Sequence, residues 1–179
     1  NTGTATAVVT VRDQTPPKIT LVGQTSATVE IGTGYTEEGA TASDNVDGDV
    51  SESIVISGSV DTNSVGIYTV NYDVTDITGN AATTVSRSVS VQDPFVPVIT
   101  VPASTVVAAT NNNGTADTNA DIATFLTSAI ANDEVNGVLS VTHNAPSIFP
   151  LGDTAVTFSA MDTNGNTGYG QAIVTIEDQ

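Results

Sequence analysis

Cysteine and tryptophan are absent from the 179-residue chain, and histidine occurs once, as His143. Without cysteine there is no disulfide, no thiolate nucleophile and no Cys-ligated zinc. A Ser-His-Asp triad would have to be built on one imidazole. Positive charge is almost as scarce: three Lys and Arg stand against 20 Asp and Glu, a formal net charge of −17. Such a surface repels phosphate backbones and anionic lipid, which argues against nucleic acid and membrane surfaces as partners, and it favours cations. No apolar run is long enough to cross a bilayer, which argues against direct membrane insertion. Aromatic residues are 4% of the chain, a poor supply for stacking on sugar rings.

What is present is Val, Ile and Thr in short alternating runs, punctuated by 15 Gly and 7 Pro. β-branched residues favour strands, and the good helix formers Lys, Arg and Glu are rare, so the fold class reads as all-β. Val70, Tyr72 and Val74 alternate with Thr69, Asn71, Asp73 and Thr75, and Val156, Phe158 and Ala160 with Thr157 and Ser159. A period of two puts the first set in a core and the second in water. Ile19, Leu21, Ile54, Ile56, Val89, Val91, Ile99, Val101 and Ile173 are expected to add to the core.

Three landmarks recur in the same order. Asp13…Pro17-Lys18-Ile19-Thr20 matches Asp93…Pro97-Val98-Ile99-Thr100. Ala42-Ser43-Asp44-Asn45-Val46-Asp47-Gly48-Asp49 matches Ala131-Asn132-Asp133-Glu134-Val135-Asn136-Gly137-Val138. Asp76-Ile77-Thr78-Gly79-Asn80 matches Asp162-Thr163-Asn164-Gly165-Asn166. An internal repeat of this kind predicts two homologous domains, 14–93 and 94–179, each an immunoglobulin-like β-sandwich of about seven strands. Residues 1–13 repeat residues 166–178, with Asn1-Thr2-Gly3 opposite Asn166-Thr167-Gly168. They read as the terminal strand of a preceding domain or as a strand donated to another chain. The start at Asn1, without Met or a leader pattern, fits a mature or excised piece. One segment departs from the β pattern. Ile122, Phe125, Leu126, Ala129 and Ile130 fall at helical spacing after a Thr118…Asp121 capping signal, so a short inserted α-helix is expected over about 119–131. It is either a cap on the sandwich core or a binding surface.

The acidic loops carry the chemistry. In an immunoglobulin strand order the entering segment, the B–C loop and the F–G loop meet at one end. Asp13, the Asp44–Asp49 loop and the Asp76–Asn80 loop should therefore converge. Two carboxylates about 5 Å apart repel by roughly 3 kcal/mol at an effective dielectric of about 20. With no Lys or Arg nearby, a divalent cation is the remedy. Calcium takes six to eight oxygens from carboxylates, amides and backbone carbonyls, whereas magnesium demands stricter octahedral geometry. Soft metals lack their ligands. The expected metal residues are Asp13, Asp44, Asn45, Asp47, Asp49, Asp76 and Asn80 for the first site. For the second they are Asp93, Asp133, Glu134, Asn136, Asp162 and Asn166. The second loop has Asn136 for Asp47 and Val138 for Asp49; it gains Glu134 but loses formal charge, so the second site is expected to be weaker or empty. Neither loop is an EF-hand, because Val46 stands where that motif needs Asp or Asn. The competing reading is that Asp and Asn serve only their own turns.

These residues bring a resemblance into view. Residues 14–93 resemble bacterial immunoglobulin-like surface repeats, through Pro16-Pro17-x-Ile19-Thr20, Gly39-Ala40-Thr41-Ala42-x-Asp44-Asn45-Val46-Asp47-Gly48-Asp49 and Val65-Gly66-x-Tyr68-Thr69-Val70. Residues 94–179 resemble hyalin-repeat (HYR) domains, through Phe149-Pro150-Leu151-Gly152-x-x-x-Val156-Thr157-Phe158 and Asp162-x-x-Gly165-Asn166-Thr167. The resemblance implies sandwich modules in tandem at the bacterial cell surface or in secreted proteins, of adhesin type, without enzymatic activity. The expected role is a calcium-stiffened spacer. Its partners would be neighbouring immunoglobulin-like domains of one array, or copies of the same protein in a fibre. A carbohydrate- or protein-binding accessory module is the rival.

Overall fold

The computed structural model describes residues 3–178, so Asn1 and Thr2 of the amino-terminal repeat lie outside the described residues, as does Gln179. The chain divides into two compact units, 1–92 and 93–179.

In the first unit seven strands follow one another: β1 (Lys18–Leu21), β2 (Ser26–Glu30), β3 (Ala40–Asp44), β4 (Gly48–Asp49), β5 (Val55–Ser57), β6 (Gly66–Asp73) and β7 (Val85–Gln92). They form a three-stranded sheet, β1-β3-β4, and a four-stranded sheet, β2-β7-β6-β5. All pairings are antiparallel except β2 with β7. The second unit repeats this plan. Its strands are β8 (Val98–Thr100), β9 (Thr105–Ala108), β10 (Thr115–Ala116), β11 (Ile130–Asp133), β12 (Gly137–Leu139), β13 (Thr142–His143), β14 (Ile148–Phe149), β15 (Gly152–Met161) and β16 (Thr167–Glu177). Sheet β12-β11-β8 corresponds to β4-β3-β1, and sheet β13-β15-β16-β9 to β5-β6-β7-β2, again with one parallel pair, β9 with β16. β10 and β14 add a small ribbon.

Period-two burial follows the alternation. Val70, Tyr72 and Val74 are buried in the first unit, and Val156, Phe158 and Ala160 in the second. Two core expectations fail. Ile56 is 54% exposed, because β5 is an edge strand with all three residues in solvent. Ile173 is 40% exposed, because Ala172, Val174 and Ile176 take the inward register of β16. The inserted helix α1 is shorter than expected, spanning Ala120–Thr127. Asn119, not Thr118, caps it, its side chain accepting from the N–H groups of Asp121 and Ile122. Ile130 and Ala131 leave the helix to begin β11, where Ala131 pairs with Ile99 and Leu139. Ile122 and Phe125 join the core with Phe149, Phe158 and Val174, so the helix caps the sandwich.

The first unit buries a charge. Arg87 lies on the inward face of β7 and is 2% exposed. Its Nε is 2.8 Å from Glu37 Oε1, and its Nη2 donates to the Val22 carbonyl at 2.5 Å and to that of Gly39 at 3.2 Å. Burial pushes the Tyr35 and Tyr72 hydroxyls up to about 12. Burial also disfavours the charge on Glu37, but the hydroxyls of Tyr35 and Tyr72, the Gly39 N–H and Arg87 outweigh it and hold its carboxyl below the ordinary value. A depressed carboxylate stabilises the fold fully above its unfolded value, about 4.3, and the contribution is lost as pH falls through the folded value. The melting-temperature gap between the wild type and Glu37→Gln should therefore be wide at pH 6 and shrink towards pH 2.5. A constant gap across that range would show that ionised Glu37 contributes nothing.

Candidate metal centre

Each unit gathers three aspartates. In the first unit Asp13, Asp44 and Asp76 each offer a carboxylate oxygen, and these atoms lie within 4.8 Å of one another. In the second unit Asp93, Asp133 and Asp162 do the same. One aspartate comes from the segment ahead of the first strand. The second ends β3 or β11. The third opens the loop between β6 and β7, or between β15 and β16.

Local hydrogen bonds aim each carboxylate. Asp44 Oδ1 accepts from the N–H groups of Val46 (2.7 Å) and Asp47 (3.0 Å), as Asp133 Oδ1 accepts from those of Val135 (2.9 Å) and Asn136 (2.8 Å). Asp13 Oδ1 accepts from Thr15 N–H, and Asp93 Oδ1 from Phe95 N–H, both at 3.0 Å. Asp76 Oδ1 accepts from Asn80 N–H at 2.7 Å, and Asp162 Oδ1 from Asn166 N–H at 2.8 Å. The turns close through Gly79 and Gly165, both at φ +94°, where a side chain would be strained. One oxygen of each carboxylate thus serves its own turn.

Asn80 and Asn166 have a role the sequence reading did not assign them. Their Nδ2 groups donate to Asp76 Oδ2 and Asp162 Oδ2, both at 2.7 Å, and reach back to the backbone carbonyls of Asp13 (3.3 Å) and Asp93 (3.1 Å). They tie the leading segment to the loop through their Nδ2 groups. Asn164 Nδ2 adds a bond to Asp93 Oδ2 at 2.7 Å; in the first unit Thr78 stands at that place. Burial works against the charge on Asp76 and Asp162, but the backbone and side-chain amides of Asn80 and Asn166 lead the hydrogen bonds that outweigh it. Both carboxyls are held below the ordinary range.

Other expected residues lie aside. Asp47 Oδ2 accepts from Ile77 N–H at 2.9 Å, bracing one loop on the other. Asp49 is exposed and accepts from Ser51, whose bonds lower its carboxyl. Asn45 and Glu134 are exposed. Asp47, Asp49 and Glu134 do not belong to the three-aspartate groups. Asn136 donates from Nδ2 to Thr163 Oγ1 at 2.9 Å, while its buried Oδ1 has no partner. Thr163 carried no signal in the sequence beyond its place next to Asp162. His143 is exposed and lies edge-on to Phe158.

No helix among the described residues is long and apolar enough to cross a membrane. Over 97% of its length the chain is 33% identical to hyalin of Strongylocentrotus purpuratus, and over 98% it is 33% identical to hyalin of Lytechinus variegatus. It spans 15% and 33% of those proteins, respectively. A lipoprotein from Bacteroides thetaiotaomicron is a structural neighbour at 20% identity and TM-score 0.39, covering 82% of this chain and 61% of its own. Residues 19–91 match the family of the bacterial surface protein Ig-like domain and residues 92–176 that of the HYR domain. The chain thus joins a domain of the bacterial surface Ig-like family, over residues 19–91, to a domain of the HYR family, over residues 92–176.

Proposed function

We propose that the chain is a non-catalytic extracellular spacer, a length of stalk in a bacterial surface protein, in which calcium stiffens the approach to each sandwich. The observation that carries this reading is the gathering, twice, of an aspartate from the leading segment with aspartates from two loops of the same unit. An ion held there fixes the chain just ahead of the first strand, where a flexible hinge would otherwise sit. Pro16, Pro17, Pro94 and Pro97 already restrict those segments. Extracellular modules bind calcium with dissociation constants of about 10⁻⁴–10⁻³ M, so extracellular fluid would keep such sites loaded.

The test is a thermal melt in calcium, in excess chelator, and in magnesium. Binding to the folded state alone stabilises by about 2.7 kcal/mol at a hundredfold excess over Kd. A rise of several degrees specific to calcium, reduced in Asp44→Ala, is the expected result. Identical melts in millimolar calcium and in chelator would remove calcium from the proposal.

A second reading is favoured by the amino-terminal segment. Residues 7–13 repeat 172–178, most of which lie in β16, yet residues 3–13 form no strand here, and Val8, Val9 and Val11 are 84–90% exposed. An unpaired strand-like segment is suited to completing a sheet of another domain or another copy, as in a fibre. Light scattering should then show concentration-dependent assembly that disappears when residues 1–12 are deleted. A chain that stays monomeric at all concentrations would count against fibre formation.

A further inference from the structure

The two clusters share one plan but not one environment. In the second unit Asp93, Asp133 and Asp162 are 8%, 2% and 5% exposed. Asp133 has its Oδ1 committed to the N–H groups of Val135 and Asn136, and its Oδ2 is buried with no partner of any kind. A buried carboxylate oxygen without a donor is costly, and native structures rarely leave one so. Asp93 and Asp162 each place a carboxylate oxygen within 4.8 Å of one from Asp133, and residues 93–179 contain no Lys or Arg to offset the charge. In the first unit Asp13 and Asp44 are only half-buried as residues, although their Oδ2 atoms, like that of Asp133, are buried without a partner, so the clusters differ in the burial of their residues and not in having an orphaned oxygen. The first unit's cluster opens on an indentation of about 960 Å³ lined by Asp13, Asn45, Thr78 and Asn80 among others.

Preorganisation differs in the same direction. Asp93 is held by Asn166 on its carbonyl and by Asn164 on its Oδ2. Asp13 has the Asn80 contact to its carbonyl at 3.3 Å, and Thr78 makes no bond to its carboxylate. Its segment, residues 3–17, is paired in no strand. Ordering that segment must be offset by ion binding in the first unit and much less so in the second. Attraction between a cation and a carboxylate also grows as water is excluded.

Building on the calcium reading above, we propose that Asp93, Asp133 and Asp162, the more buried and more firmly held set, form the tighter calcium site, with Asp133 Oδ2 as its unpartnered oxygen. The second unit then fills at lower calcium than the first, although its loop carries less formal charge. The reason is that affinity follows burial and prior positioning of the ligands more closely than the number of acidic residues in the loop.

Isothermal titration of the whole chain with calcium chloride, after stripping with chelator, tests this against Asp133→Asn and Asp44→Asn. The wild type should bind in two phases. Asp133→Asn should weaken the tighter phase by about tenfold or more, the scale on which changes around a metal site act, and spare the weaker one. Asp44→Asn should do the reverse. Asn preserves the Oδ1 acceptor, so the turn survives, and in chelator the Asp133→Asn chain should melt at or above the wild-type temperature because an unpaired buried charge is gone. If Asp44→Asn abolishes the tighter phase and Asp133→Asn leaves it intact, the ranking is wrong while calcium binding stands. Absence of binding in the wild type overturns both. A fall in melting temperature of Asp133→Asn in chelator would assign Asp133 a purely structural role and also overturn the proposal.

Discussion

Arg87→Met should unfold the first unit more than about 10 °C below the wild type. Removing one partner of a buried ion pair costs about 3–5 kcal/mol, because the other charge and the polar groups around it are left unpaired, and in a domain of this size each kcal/mol shifts the midpoint by about 4–8 °C. Arg87 serves four groups at once: Glu37, Glu38, and the carbonyls of Val22 and Gly39. It therefore pins the loop between β2 and β3 to the sheet. Pairing the change with Glu37→Gln should recover part of the loss, since the abandoned charge is then gone. Wild-type melting of the single variant would mean that water, not Arg87, satisfies those groups. The consequence for function is mechanical. The proposed spacer role requires resistance to unfolding, and this unit's core is small and split, with Tyr72, Val70 and Val74 in one cluster and Val29, Val89 and Val91 in another. The buried network links the segments that the apolar contacts leave loosely joined.

Phe125→Ala should destabilise the second unit by about 3–5 kcal/mol, the range for truncating a buried aromatic. Phe125 is 4% exposed and tilts against Phe158 with ring centroids 5.7 Å apart. With Ile122 it closes the sandwich over Phe149 and Val174. Differential scanning calorimetry should show the second unit's transition falling while the first unit's stays, since the two cores share no residue. A change below about 1 kcal/mol would mean that the helix sits on the core without sealing it. In that case its exposed face would become the place to look for a ligand.

Much of the architecture was open to reading in the chain. The alternation in 70–75 and 156–160 assigned the inward residues, and the recurrence of three landmarks in the same order implied two copies of one fold. Helix α1 was visible from Ile122, Phe125 and Leu126, but its end was not, because Ala129 and Ile130 fit either period. Pairing of Ala131 with Ile99, distant in sequence, settled the matter in favour of strand. Ile56 departs from its alternation for a related reason. Alternation says which face a residue is on, and only the sheet order says that β5 is an edge. Arg87 stands in register with Val85, Val89 and Val91, a pattern present in the sequence whose meaning required Glu37 to be brought to it from another loop.

The candidate centre divides in the same way. Strand order together with Asp13, Asp44 and Asp76 sufficed to expect convergence, since connectivity dictates which loops share an end. Turn chemistry around each Asp is encoded within three or four residues and was likewise local. The sequence alone thus determined the fold class, the repeat, the acidic character and which loops meet. Only the tertiary structure decided that Asp47, Asp49 and Glu134 stay aside, that Asn80 and Asn166 work as ties, and that the cluster with fewer charges is the more buried. Burial and unsatisfied hydrogen-bonding capacity depend on what distant segments pack over a group, and no window of sequence contains that information.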